Sequence, residues 1–403
     1  MFGTQHSRRG NTMKRNIGTL LVGAITLVCL ASCGNEAVPE APASPATRPA
    51  PVAGSQVLNV YNWPDYIAED TIGNFEAKTG IKVNYDLYSD NDALVQKLAA
   101  SPDAYDIIFP SAQPHAQQMI AAGALASLDK TRLGNLKHID PAILDELGQF
   151  DPGNAHIVPY LWGTTGLGIN VGKVRAVLGA GAALDSWSLV FDPATAAKLS
   201  SCGIGLLDNE LESFTPALIW KGRDPNDFSA EANGVVREIY ASIRTHIRKF
   251  DNSSELIEDL ASGKLCVVLS FSGDVQQAQS RAQETAAAAK TQAPEIRYVI
   301  PREGAMRWTD VAAIPKNAKN VDNAHRFLQY LMEPEVIADI SNFVAYANAN
   351  TSATPLIDKA IAENPGIYPP AGVRAKLSTA RLPTDAEARD RKLAWNDIIY
   401  GLM

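Results

Sequence analysis

The chain is poor in the residues that hold metals and carries none of the common hydrolase signatures. Its 403 residues include four cysteines and six histidines, with no paired histidines near the cysteines to complete a metal-ligand set. There is no G-x-S-x-G, no H-E-x-x-H and no cysteine–histidine arrangement, so the familiar nucleophile and zinc-protease motifs are absent. Positive charge is in deficit: 36 Lys and Arg stand against 44 Asp and Glu, a net charge of −8. An acidic chain is a poor partner for nucleic acid, and no nucleic-acid binding is expected. What remains is 46% hydrophobic and 20% charged, a composition that suits a globular protein long enough for two domains.

The first 55 residues read as an address and a spacer. Lys14 and Arg15 precede an apolar run from about Ile17 to Leu30, too short to span a bilayer comfortably, followed by Leu30-Ala31-Ser32-Cys33. A basic start, a short apolar core and small residues describe a signal peptide. Cys after Leu-Ala-Ser resembles the bacterial lipobox and implies cleavage before Cys33 and lipidation of its thiol. Met13-Lys14-Arg15 begins this signal cleanly, which leaves Met13 as well as Met1 as a candidate start. The leader contributes Arg8, Arg9, Lys14 and Arg15 and no acids, so its removal takes the charge from −8 to −12. From Gly34 to Gly54 the chain is rich in Ala and Pro, which buries no core and favours extended segments of about 3 Å per residue. This stretch is expected to tether the folded part to a membrane.

From Val57 the pattern alternates strand and helix. Strands are expected at 57–61, 81–87 and 106–109, and helices at 70–78, 91–100 and 112–122, an order that predicts a mostly parallel sheet covered on both faces. Asn62-Trp63-Pro64-Asp65-Tyr66 follows the first strand. Pro64 stops the ladder, and ligands of open α/β sheets sit outside the carboxyl ends of strands. An aromatic face beside a carboxylate suits an organic cation. The same residues also suit a Trp that plugs a strand end and an Asp that caps a helix. Ser111 and Gln113, after the third strand, either line the same crevice or start the next helix.

Further on, 156–162 and 165–170 read as two strands split at Gly163. Gly166, Gly168 and Gly172 are spaced G-x-G-x-x-x-G, not G-x-G-x-x-G, so no dinucleotide is implied and no cofactor is expected. A glycine-rich crossing between lobes fits better. A helix is expected over 230–248. Strand 265–271 is apolar but for Ser270, as expected of a strand buried on both faces, and runs into Ser272-Gly273-Asp274. Phe271 and Asp274 therefore repeat the aromatic-plus-Asp pairing of Trp63 and Asp65. Trp308 and Asp310 sit two apart before a strand at 311–314, on one face if the strand extends back to them. Cys202 and Cys266 each flank a strand, and in an exported, oxidising setting they are expected to pair.

At this point the residues carry a resemblance. Tyr-Asn-Trp-x-Asp-Tyr (61–66), Asp-Pro-x-Asn (151–154), Ser-Cys-Gly (201–203), Gly-Asp-Val (273–275), Pro-x-Glu-Gly-Ala-Met (301–306) and Tyr-Ala-Asn-Ala-Asn (346–350) resemble the periplasmic spermidine/putrescine-binding proteins of polyamine ABC importers, and their putrescine-preferring branch most. The resemblance covers about Leu58 to the C-terminus. It implies an α/β fold of the type II periplasmic-binding-protein class, two lobes with the ligand cleft between them. The expected division is a leader over 1–32, a tether over 33–55, a first lobe over 56–162 with about 304–345, and a second over 163–303 with about 346–403.

The resemblance also implies roles. Trp63, Tyr66, Phe271, Trp308 and Tyr346 would box a methylene chain, and Asp65, Glu212, Asp274 and Asp310 would take its ammonium groups. Glu212 equally suits the first turn of a helix. Pro64 stands where the family often has Ser or Thr, Gln113 where it has Ser and Phe271 where it usually has Trp, which leaves the diamine-versus-triamine preference open. The implied protein is a monomeric lipoprotein of the periplasm that is not an enzyme; its partners are putrescine or spermidine and an inner-membrane ABC permease. The residues leave three other readings: the same fold with another amine or amino acid derivative, a sensor with the same site, and a glycosidase using Asp65 and Asp274 as its acid pair.

Overall fold

A computed structural model describes residues 56–402. The leader, Cys33 and the Ala/Pro-rich segment lie outside the described residues. Eleven strands form a single sheet: β1 (Val57–Asn62), β2 (Lys82–Leu87), β3 (Ile107–Ile108), β4 (Ile157–Asn170), β5 (Ile204–Leu207), β6 (Lys249–Asp251), β7 (Val267–Phe271), β8 (Ile296–Val299), β9 (Ala305–Ala313), β10 (Ala347–Asn348) and β11 (Leu377–Ser378). Their order is β2-β1-β3-β9-β4-β7-β5-β6, with β8 and β10 also on β4 and β11 on β9. β1 pairs in parallel with β2 and β3, and β5 in parallel with β6 and β7. Each end of the sheet is thus a parallel α/β lobe, as the strand–helix alternation requires.

β4 and β9 join the lobes. Ile157–Pro159 pair with Ala313–Val311 in the first lobe, the register shifts between Pro159 and Trp162, and Trp162–Thr165 pair with Thr309–Met306. Thr165–Ile169 then pair with β7 in the second lobe. The expected break at Gly163 is therefore absent: β4 is one strand. Gly163 serves close packing instead, since a Cβ there would lie 2.7 Å from the Trp308 indole. β9 likewise begins well before the expected residue 311 and carries Trp308 and Asp310 within it.

Two large apolar cores flank the crossing. Leu58, Val60, Phe75, Phe109, Tyr160 and Phe327 fill the first. Leu167, Trp187, Leu206, Phe214, Tyr240 and Trp395 fill the second. Tyr61, Tyr88, Tyr105 and Ile108 pack on the other face of the first lobe's sheet. Tyr346, Ala349, Ala353 and Ile357 pack in the first core. Cys202 and Cys266 are bonded, with Cα atoms 5.5 Å apart and positions 64 apart in sequence. Closing a loop of that length contributes about 4 kcal/mol in the chain-entropy treatment.

Two expected helices are cut short for physical reasons. The stretch 112–122 is interrupted because Gln113 precedes Pro114 and is pushed to extended angles (φ −125°, ψ 133°). The helix expected over 230–248 ends at Ile243. Just beyond its expected end, Lys249–Asp251 form β6 through ladder bonds to Gly205–Leu207.

Candidate ligand cleft

A cavity of about 360 Å³ lies between the lobes. Trp63, Tyr66 and Ser111 reach it from the first lobe, Glu212, Phe271 and Asp274 from the second, and Trp308 and Asp310 from the crossing strand β9. Tyr346, packed in the first core, completes the wall.

The aromatic side chains are held before any ligand arrives. The Trp63 backbone N–H donates to Asn62 Oδ1 and its indole Nε1 to the Phe109 carbonyl, both at 2.8 Å, while the ring tilts against Tyr88 at 4.6 Å. A continuous run of edge contacts follows: Phe271 to Trp308 at 5.5 Å, Trp308 to Tyr346 at 5.4 Å and Tyr346 to Tyr66 at 5.3 Å. Such edge-to-face pairs are favourable in their own right. Gly273 is required here, since any Cβ would collide with the Tyr346 ring.

The acids are anchored by the same aromatics. The Tyr66 hydroxyl donates to Asp310 Oδ2 at 2.8 Å and the Tyr346 hydroxyl to Asp274 Oδ1 at 2.6 Å. The Asp274 N–H donates back to the Tyr346 oxygen at 3.2 Å. Each carboxylate has one oxygen left over: Asp274 Oδ2 and Asp310 Oδ1 are buried and have no hydrogen-bond partner among the described residues. Trp308 Nε1 is buried in the same condition. Asp274 lies in the first turn of the helix Ser272–Ala289, and Glu212 in that of Glu210–Trp220, where the helix dipole favours negative charge. Thr165 donates to Glu212 Oε2 at 2.5 Å.

Burial raises all three acids. Asp274 is pushed up to about 6 by desolvation, against the pull of the Tyr346 hydroxyl. Asp310 is pushed up to about 6 by desolvation, against the hydroxyls of Ser111 and Tyr66. Glu212 reaches about 7, again by desolvation, with Thr165 opposing it and the nearby Asp310 adding to it. Tyr66 and Tyr346 are driven well above the usual phenol range by burial, so both stay protonated and act as donors. Buried carboxylates with unfilled acceptor oxygens, walled by ring faces, form a site that gains most from an organic cation.

Two expected residues stand elsewhere. Asp65 is not part of the cavity wall. It adopts a left-handed backbone (φ 53°) that Asp tolerates, and its carboxylate turns outward to Arg281 at 3.2 Å. Its carbonyl accepts from Gln277 Nε2 at 3.3 Å. Gln113, extended before Pro114, lines a smaller cavity of about 40 Å³ that adjoins the main one and shares Asn91, Ser111, Asn209, Glu212 and Trp308 with it. Conversely, Asp90, Asp208, Phe250 and Asp251 line the cleft without having been singled out. Each sits at or just after the carboxyl end of β2, β5 or β6, so the strand-end rule would have found Asp90 and Asp208. Phe250 and Asp251 lie in β6, a strand of three residues that no sequence signal marked.

A model of the family of bacterial extracellular solute-binding proteins matches residues 70–369. The chain belongs to that family. Among solute-binding proteins it is 44% identical over 350 residues to the putrescine-binding periplasmic protein PotF of Escherichia coli (strain K12), covering 87% of this chain and 93% of the relative. It is 43% identical over 353 residues to the putrescine-binding periplasmic protein SpuD of Pseudomonas aeruginosa (strain UCBPP-PA14), with 87% and 94% covered. A solved structure of a putative spermidine/putrescine ABC transporter protein from Listeria monocytogenes superimposes with a TM-score of 0.75 at 28% identity, over 85% of this chain and 99% of that one. The two-lobed type II binding-protein fold and its inter-lobe cleft follow from the family and from the geometry together.

Proposed function

We propose that this solute-binding protein captures a polyamine in the inter-lobe cleft, putrescine first among them, and delivers it unchanged to an ABC permease. One observation carries the reading: Asp274 and Asp310 are buried, each is fixed by a tyrosine hydroxyl, and each keeps an oxygen without a partner. An ammonium group at each oxygen, with methylenes against Trp63, Phe271 and Trp308, satisfies both the charge and the apolar wall. The ligands named for PotF and SpuD support the choice of putrescine. Charge-assisted hydrogen bonds of roughly 1.5–3 kcal/mol each and cation–π contacts of up to about 2 kcal/mol suffice for micromolar affinity, about −8 kcal/mol.

The chain acts in the periplasm as a single copy, held to a membrane by lipid on Cys33, with 33–55 as spacer. Incorporation of labelled palmitate, lost in Cys33→Ser, tests the anchor; an unlabelled wild-type chain removes it. The ligand is tested by calorimetric titration of ligand-stripped protein with putrescine, cadaverine, spermidine and spermine. Micromolar or tighter binding of one of them is expected, and no heat with any, from folded protein, overturns the assignment. A second reading, an amine that also carries an acceptor, has the unpartnered Trp308 Nε1 in its favour. A diammonium offers that donor nothing, so a bound water fills it in the first reading. Ornithine binding more tightly than putrescine would favour the second.

A further inference from the structure

The small cavity beside the cleft contains a cation of the protein's own. Arg307 lies next to Trp308 on β9, lines that cavity, and its guanidinium pairs with Glu146 from the helix Pro141–Leu147 of the first lobe. Both side chains are largely covered, at 24% and 31% exposure. The cavity adjoins the main cleft along Ser111, Glu212 and Trp308, so it is the direction in which a ligand longer than a diamine would extend past Glu212. With Arg307 in place it holds about 40 Å³, room for a few waters. The other titratable group there, His115, is half-buried and neutral, its pKa pushed down to about 4 by desolvation against the pull of Asp92 and Asp90. Glu146 is therefore the one carboxylate this cavity offers beyond Glu212, and Arg307 already occupies it.

We propose that Arg307 acts as a built-in third cation: by occupying Glu146 and the adjoining space, it restricts the cleft to diamines and rejects the further ammonium of a triamine. The inference rests on the polyamine reading above. A third ammonium entering the cavity would meet a guanidinium and a neutralised carboxylate, a like-charge contact in a poorly hydrated space. Removing the guanidinium both enlarges the cavity and frees Glu146 as an acceptor. The selectivity is then a matter of exclusion at one side chain, with the main cleft unchanged.

The test is calorimetric titration of putrescine and spermidine into the wild type, Arg307→Ala and Arg307→Ala/Glu146→Gln. The wild type should prefer putrescine by at least about tenfold. Arg307→Ala should shift the affinity ratio toward spermidine by at least about tenfold, the worth of one charge-assisted hydrogen bond. The double variant should lose that gain. Equal wild-type affinities overturn the proposal without any variant. So does an Arg307→Ala protein that melts normally and keeps the wild-type ratio, or a gain that survives in the double variant. Arg307→Gln, which keeps most of the stem and removes the charge, gives the same reading should the alanine variant not fold. A wild type that binds neither amine fails the polyamine reading itself, which separates the two failures.

Discussion

Asp65 and Asp274 begin alike and end differently. Each follows the carboxyl end of a parallel strand, within a few residues of an aromatic, Trp63 in one case and Phe271 in the other. Asp274 is in the first turn of a helix, 7% exposed, its carboxylate held by Tyr346 and half unfilled. Asp65 stands in a left-handed turn, its side chain 43% exposed and committed to Arg281. The pattern of an aromatic and an acid at a strand end places both near the cleft mouth. The backbone angle of one residue then decides which acid lines the cavity and which pairs with Arg281 outside it. Asp65 has its partner already in place, whereas Asp274 is left one partner short by its own fold.

The largest loss is expected at Asp274. Asp274→Ala leaves a buried ammonium without its counter-charge, a loss of about 3–5 kcal/mol and at least about a hundredfold in affinity. Asp310→Ala should behave alike, and titration of both against putrescine checks it. Affinity that survives either change removes these acids from the site. Next comes pH. Because Asp274 and Asp310 sit near 6 in the ligand-free protein, above the ordinary carboxylate range, the empty folded state binds protons that the unfolded chain releases. Their contribution to its stability is therefore greatest in acid and is lost as pH rises from about 4 to about 6. Affinity for a diammonium runs the other way, strengthening over the same interval as the acids ionise, with protons released on binding near pH 6. Melting curves with and without ligand should separate further as pH rises, and titrations in buffers of different ionisation heat count the protons.

Tyr346→Phe is intermediate. It removes one hydroxyl from Asp274 and should weaken binding by about tenfold while leaving the ring wall in place. The smallest effect belongs to Asp65→Asn. The pair with Arg281 is partly exposed, and such pairs contribute little; a change within about fivefold is expected, concentrated in the ligand's dissociation rate, which stopped-flow release would read. A loss at Asp65→Asn as large as at Asp274→Ala would erase the distinction.

The sequence carried the fold well wherever a local rule had no competitor. Gly80 ends the first helix with a left-handed angle, and Asp192-Pro193 starts a helix with Asp192 accepting from the Thr195 N–H. Nine of the eleven expected ligand residues line the cleft, because strand ends and the β9 alternation fix where side chains emerge. What the sequence concealed was decided at longer range. Gly163 resembles a break and is a packing contact with Trp308, a residue far along the chain. Lys249–Asp251 carry no strong strand signal of their own and become β6 only beside β5. Asp65 depends on a single positive φ, and Gln113 on the proline after it. None of these is encoded in periodicity.

The disulfide between Cys202 and Cys266 has a consequence for how the chain reaches its place of work. It ties the starts of β5 and β7, the strands that hold the second lobe's core together. Wherever thiols are kept reduced, that lobe lacks about 4 kcal/mol of its support and opens more readily into an unstructured thread. A chain that must pass through a narrow translocation pore gains from such delayed consolidation: it stays pliable on the reducing side and hardens once oxidised beyond it.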